Sequence, residues 1–294
     1  MRVWLWVGAM GCGPGDTDVP PVEESDKPDP LYPSITQPQP EETGGETEDT
    51  GTVPNPTEVT GPAAQARLAN LSPSVPQADI CLSYDNGVTW IGPWFETVRA
   101  GGLGAKEVSA FRDVPAGSAT TRVVSGGEAR CDQSVPGGNH ELPVVFEEGK
   151  SYQVSVLGAL TPPAGYEFAF IEALGFVDTS TGVPVGAWLR FQHAAVGVTT
   201  AWPATTDGIT LTDVGISESA YPGMKGYVDV DPFVATNLVM RHDDDVLVQL
   251  GPKSLNAGEK ITMHLVGGLG LPLEVLWCHD DQPAVDGLTP CDLL

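Results

Sequence analysis

Glu147-Glu148-Gly149-Lys150-Ser151-Tyr152-Gln153-Val154-Ser155-Val156-Leu157-Gly158-Ala159-Leu160 reads as a glycine turn, an alternating strand and a second glycine turn. Tyr152, Val154 and Val156 fall on one side, and Gln153 and Ser155 on the other, the period-2 pattern of a strand with one apolar face. The same text returns at an offset of 109 as Asn256-Ala257-Gly258-Glu259-Lys260-Ile261-Thr262-Met263-His264-Leu265-Val266-Gly267-Gly268-Leu269, with Ile261, Met263 and Leu265 apolar and Thr262 and His264 between them. Two further landmarks repeat in the same order. Ala110-Phe111-Arg112-Asp113-Val114 matches Gly226-Tyr227-Val228-Asp229-Val230 at offset 116, and Arg67-Leu68-Ala69-Asn70 matches Arg190-Phe191-Gln192-His193 at offset 123. Unequal loops in two copies of one fold produce such a drift. The sequence therefore predicts two tandem domains, 66–182 and 183–294. Short apolar runs, Leu273-Val275-Trp277 among them, are broken by Gly, Pro, Asp and Asn every 8–12 residues, which predicts an all-β fold of sandwich or barrel type.

Those landmarks carry a resemblance. An opening strand such as Arg190-Phe191-Gln192-His193-Ala194-Ala195, a middle strand leading to an Asp, and the Glu148–Leu160 strand are similar to the domain-of-unknown-function 4397 family. The resemblance spans about 66–280 and implies immunoglobulin-like, antiparallel β-sandwiches in tandem, in a bacterial envelope protein and often a lipoprotein. It implies no catalytic residue.

Composition narrows the partners. Fourteen Lys+Arg stand against 39 Asp+Glu, a net charge of −25, so there is no basic footprint for nucleic acid or for an anionic membrane surface. The 35 Gly and 27 Pro disfavour a helical protein, and no run of 18 apolar residues offers a transmembrane helix. Residues 13–65 hold 12 Asp+Glu, one Lys and 11 Pro with nine aliphatic or aromatic residues. A segment this polar is expected to be a disordered, extended acidic linker. Before it, Met1-Arg2, the apolar run Val3–Met10 and Gly11-Cys12 resemble a bacterial lipobox, giving a signal segment over 1–12 and a lipid-bearing Cys12.

If Cys12 carries lipid, Cys81, Cys131, Cys278 and Cys291 remain, an even number that suggests two disulfides in an exported protein. Three pairings are open; Cys81–Cys131 with Cys278–Cys291 is favoured because each then stays inside one repeat. No Cys-x-x-Cys spacing points to zinc, and no cofactor is expected.

Several residues could carry a site. Trp90 and Trp94, beside Phe95, could make an aromatic platform for a glycan or peptide, against core packing or shielding of the Cys81 disulfide. Asp243, Asp244 and Asp245, with Asp280 and Asp281, supply oxygen ligands for calcium if the fold brings them together, against solvated turns. His193 and Asn70 occupy matched places and read as turn-bonding groups; Asp113 and Asp229 read the same way. There is no Gly-x-Ser-x-Gly, no His-Glu-x-x-His, no P-loop and no dinucleotide fingerprint. The expectation is a non-catalytic envelope lipoprotein, membrane-tethered through Cys12 on the periplasmic or surface face of an outer membrane. It would present two domains to an envelope protein or glycan. A calcium-dependent adhesion protein and an envelope hydrolase are the alternatives.

Overall fold

The computed structural model describes residues 59, 61–96, 99–127, 131, 141–158, 172–174, 186–268 and 270–294. Cys12, the signal segment and nearly all of the expected linker lie outside the described residues.

The first half comprises β1 (Ala63–Asn70), β2 (Gln77–Ser83), β3 (Leu103–Gly104), β4 (Glu107–Val108), β5 (Arg112–Pro115), β6 (Gly117–Ser125), β7 (Glu141–Phe146), β8 (Ser151–Val156) and β9 (Glu172–Leu174). The second comprises β10 (Ala187–His193), β11 (Thr200–Thr206), β12 (Leu211–Asp213), β13 (Ser219–Ala220), β14 (Gly223–Met224), β15 (Val228–Val230), β16 (Phe233–His242), β17 (Asp245–Leu255), β18 (Lys260–Gly268), β19 (Leu271–His279) and β20 (Cys291–Leu293). Among the described residues the fold is all-β, as two sandwiches in tandem. The opening strand β1 begins at Ala63, three residues before the boundary read from the sequence.

In each half one sheet is outer and one inner. The outer sheets run β3-β2-β6-β7 and β12-β11-β16-β17; the inner ones run β4-β1-β8-β9 and β14-β10-β18-β19-β20, with β5 and β15 continuing beside β1 and β10. The apolar faces meet inside each sandwich. Leu68, Ile80, Trp94, Val123, Phe146 and Val154 close one core, and Phe191, Leu238, Met240, Ile261, Met263 and Trp277 close the other. Pairing is antiparallel except that β1 runs parallel to β8, and β10 to β18. A parallel neighbour needs a long crossover, and the chain from Leu71 to Lys150, which builds the outer sheet, supplies it.

The repeat holds at the level of single residue pairs. Arg67 lies opposite Gln153 as Arg190 lies opposite Thr262, and Gln65 opposite Asp113 as Trp188 opposite Asp229. Offsets of 123, 109 and 116 are therefore one register with different loops between the strands. Asp113 and Asp229 sit exposed within β5 and β15 rather than ahead of turns, so their match reflects strand register. At the end of β18 the backbone turns tightly: Gly267 and Gly268 both have positive φ, and a Cβ on either would lie 2.0 Å from the carbonyl oxygen of Pro272 or Val196. Glycine alone fits there.

Both favoured disulfides are present, Cys81–Cys131 across 50 residues and Cys278–Cys291 across 13. Loop-closure entropy makes these worth about 4 and about 3 kcal/mol. Peptide mapping of unreduced protein should recover these two linked pairs, and Cys81→Ala/Cys131→Ala should lose more denaturant stability than Cys278→Ala/Cys291→Ala. Peptides joining Cys81 or Cys131 to Cys278 or Cys291 would contradict this pairing.

Candidate functional site

Alternation gives each inner strand a second face, and in both halves that face is polar. β1 and β8 turn Arg67, Gln153 and Ser155 away from their own core; β10 and β18 turn Arg190, Gln192, Thr262 and His264 away from theirs. None of these side chains meets solvent: all seven residues have 0% exposure. The two inner sheets pack on each other through these faces, within one compact unit that contains both sandwiches.

The centre of this seam is charged. Asp280, just beyond β19, accepts from Arg67 Nη1 through Oδ1, while its Oδ2 accepts from Tyr227 and Thr262 hydroxyls and stands 3.5 Å from Arg190 Nη2. The Asp280 side chain is 2% exposed. Each guanidinium also stacks on the aromatic ring at its matched repeat position, Arg67 at 4.7 Å from the Phe111 centroid and Arg190 at 4.6 Å from Tyr227. Repeated sequence thus makes a repeated Arg–aromatic pair, and one carboxylate bridges the two.

A hydrogen-bond chain leads away from the charges. Arg67 Nε donates to Gln153 Oε1 at 2.8 Å; Gln153 Nε2 donates to Gln192 Oε1 at 2.8 Å and to Ser155 Oγ at 2.9 Å. Gln192 Nε2 donates to the same Ser155 Oγ, and its Oε1 also takes His264 Nδ1 at 2.8 Å, which places the His264 proton on Nδ1. Burial, reinforced by both guanidiniums, drives the His264 pKa well below 6.5 and keeps the ring neutral. Burial alone would raise the Asp280 carboxyl, but the charges of Arg67 and Arg190 and the hydrogen bonds it accepts outweigh that and hold it well below the usual range. Beside the polar centre lies an apolar strip of Ala69, Leu71, Val108 and Leu157 against Ala194, Val266, Leu276 and Cys278.

The expected site residues distribute as follows. Trp94 is 1% exposed in the first core and is no ligand platform. Half-buried Trp90 covers the Cys81–Cys131 bridge and Val124, and the Arg122 guanidinium lies 3.9 Å above its ring. Core packing accounts for Trp94 and disulfide shielding for Trp90, the two competing readings. The calcium expectation is corrected too: Asp243 and Asp244 form the exposed tip of the β16–β17 hairpin ahead of Asp245, Asp281 is exposed, and Asp280 is committed to two arginines. Among the described residues no group of three His, Cys, Asp or Glu is arranged to hold a metal. Asn70 donates to the carbonyls of Val75 and Leu103, and His193 Nδ1 accepts from the Ala195 amide, so both bond nearby backbone as expected. Desolvation pushes the His193 pKa down to about 4, which removes it as a neutral-pH base.

Clefts at the surface are modest. One of about 490 Å³ lies where the halves meet, lined by Arg99, Lys106 and Glu107 and by Asp286, Leu288 and Cys291. Another of about 530 Å³ in the second half presents Asp213, Asp229 and Asp231 around Phe233.

No protein-family model matches the chain, and no curated protein matches it. Solved structures with some likeness include a family 26 carbohydrate-binding module of Eubacterium rectale Amy13K in complex with maltoheptaose, 7% identical over 69% of this chain and 93% of that one. A fimbrial assembly protein of Parabacteroides distasonis is 8% identical over 78% and 98%. Both have a TM-score of 0.18, and neither carries an argument.

Removing Asp280 leaves two buried cations without a counter-charge, so Asp280→Asn should lower the unfolding free energy by about 3–5 kcal/mol in denaturant titrations. The seam is also acid-sensitive, with a definite sign. An unfolded chain protonates His264 below about 6.5 while the folded one does not, and folded Asp280 stays ionised below the 3.8 of the unfolded carboxyl. Both contributions are whole at neutral pH. The His264 contribution declines as pH falls below 6.5 and the Asp280 contribution below about 4. Asp280→Asn should flatten the lower segment of the stability–pH curve; an unchanged curve would contradict the assignment.

Proposed function

We propose that the protein is a non-catalytic lipoprotein of a bacterial cell envelope, tethered through Cys12, with the acidic segment between Cys12 and β1 as spacer and the paired sandwiches as the presented body. One observation carries the non-catalytic reading. The largest convergence of ionisable and amide side chains among the described residues is the seam around Asp280, and it is spent on joining the two halves. In the clefts that do open to solvent several of the charged groups are already paired, Arg99 with Glu107 and Lys106 with Glu274 in one, Asp213 with Trp202 and Arg241 in the other. Presentation then falls to the exposed loops and hairpin tips, with an envelope protein or a glycan as partner. The envelope placement is supported by the two disulfides, which persist in oxidising compartments, and by the lipobox resemblance.

Fractionation of cells expressing the full chain tests the tether. The wild-type protein should incorporate labelled fatty acid and sediment with membranes, and Cys12→Ser should do neither. A Cys12→Ser protein that still incorporates label and sediments as before would overturn the reading.

A further inference from the structure

Between β19 and β20 the chain leaves the second sandwich, reaches the first, and returns. The excursion ends in a two-residue hairpin: Val285 and Leu288 exchange both backbone hydrogen bonds at 2.9 Å around Asp286 and Gly287, which have φ of 50° and 76°. Two consecutive positive φ values with Asp-Gly are the pattern of a type I′ turn. The returning strand then pairs with the first half. Leu288 bridges Ser109, the Ala110 amide donates to Gly287 O and the Thr289 amide to Val108 O, both at 2.9 Å. Thr289 Oγ1 adds a bond to Ser109 O, and the Leu288 side chain packs against the first core. Cys278–Cys291 closes this excursion at its base.

The two disulfides differ in their surroundings. Cys81 and Cys131 are 0% and 8% exposed, under Trp90 and Arg122. Cys291 is only partly buried and lines the 490 Å³ cleft between the halves, while its partner Cys278 sits in the apolar strip of the seam. The Cys278–Cys291 bridge thus borders a cleft through Cys291, whereas the Cys81–Cys131 bridge lies beneath an aromatic ring and a guanidinium.

We propose that residues 279–290 form a redox-dependent strap across the two sandwiches. In the oxidised protein the Cys278–Cys291 bond holds the strap's ends together and Leu288 stays docked on the first half. A small dithiol attacks Cys291 Sγ from the cleft; its two thiols lose two protons and two electrons and become a disulfide, the protein S–S bond breaks, and Cys278 and Cys291 become thiols. Without the covalent closure the strap's ends are held only by non-covalent bonds, the β19–β20 pairing and the His279–Pro290 backbone bond among them, so the strap gains conformational freedom and its bonds to Val108, Ser109 and Ala110 break more often. The proposal stands independently of the membrane tether.

The test is partial reduction of the native full-length chain by dithiothreitol, followed by alkylation mapping and hydrogen exchange. Cys278 and Cys291 should be alkylated before Cys81 and Cys131, with exchange at the Ala110 and Thr289 amides rising at least ~10-fold while the Cys81 strand stays protected. Cys278→Ser/Cys291→Ser should exchange fast at both amides with or without dithiol. Reduction of Cys81–Cys131 first would overturn the proposal. So would alkylation of Cys278 and Cys291 with unchanged exchange at Ala110 and Thr289. Were the double variant not to fold, the wild-type time course alone would decide between these results.

Discussion

Two guanidiniums share one carboxylate at the centre of this molecule, and the arrangement of the halves follows from that fact. Arg67 and Arg190 occupy the same repeat position, point away from their own cores and would each be costly to bury alone. Asp280 belongs to the second half yet binds both. Pairing all three charges out of water requires the inner sheets to meet in one geometry, and Gln153, Gln192, Ser155 and His264 extend the hydrogen bonding from that centre. An apolar seam of equal area could slide. A charged one is held in register, and the neighbouring strip of Leu71, Leu157, Val266 and Leu276 supplies the burial that makes the contact favourable overall.

This seam also explains the difference between the fold as read and the fold as found. The alternation of Tyr152-Gln153-Val154-Ser155-Val156 was legible, and so were the repeat, its drifting offsets and the two disulfides, because these depend on local period and on matched spacing. What alternation cannot say is what faces the second side of a strand. Polar residues there ordinarily meet water, whereas Gln153, Ser155, Thr262 and His264 are buried in the seam. The matched Arg67 and Arg190 and the matched Phe111 and Tyr227 were the available signal, since an arginine and an aromatic residue recur at the same two repeat positions in both copies. The strap had its own signal in Asp286-Gly287, a two-residue hairpin dipeptide between Val285 and Leu288.

The acidic clusters show the converse. Asp243-Asp244-Asp245 and Asp280-Asp281 look alike as text, yet the first is an exposed hairpin tip and Asp280 is the most deeply committed carboxylate of the seam. Neighbouring residues in sequence, Asp280 and Asp281, have opposite environments. What separates them is which partners the other half supplies, and that is a tertiary fact. Trp90 and Trp94 divide in a comparable way between a disulfide cover and a core.

Calorimetry tests most directly whether the seam makes the two sandwiches one unit. At neutral pH under oxidising conditions the protein should unfold in a single transition, with the calorimetric and van't Hoff enthalpies equal. Two separable transitions, one for each sandwich, would contradict it.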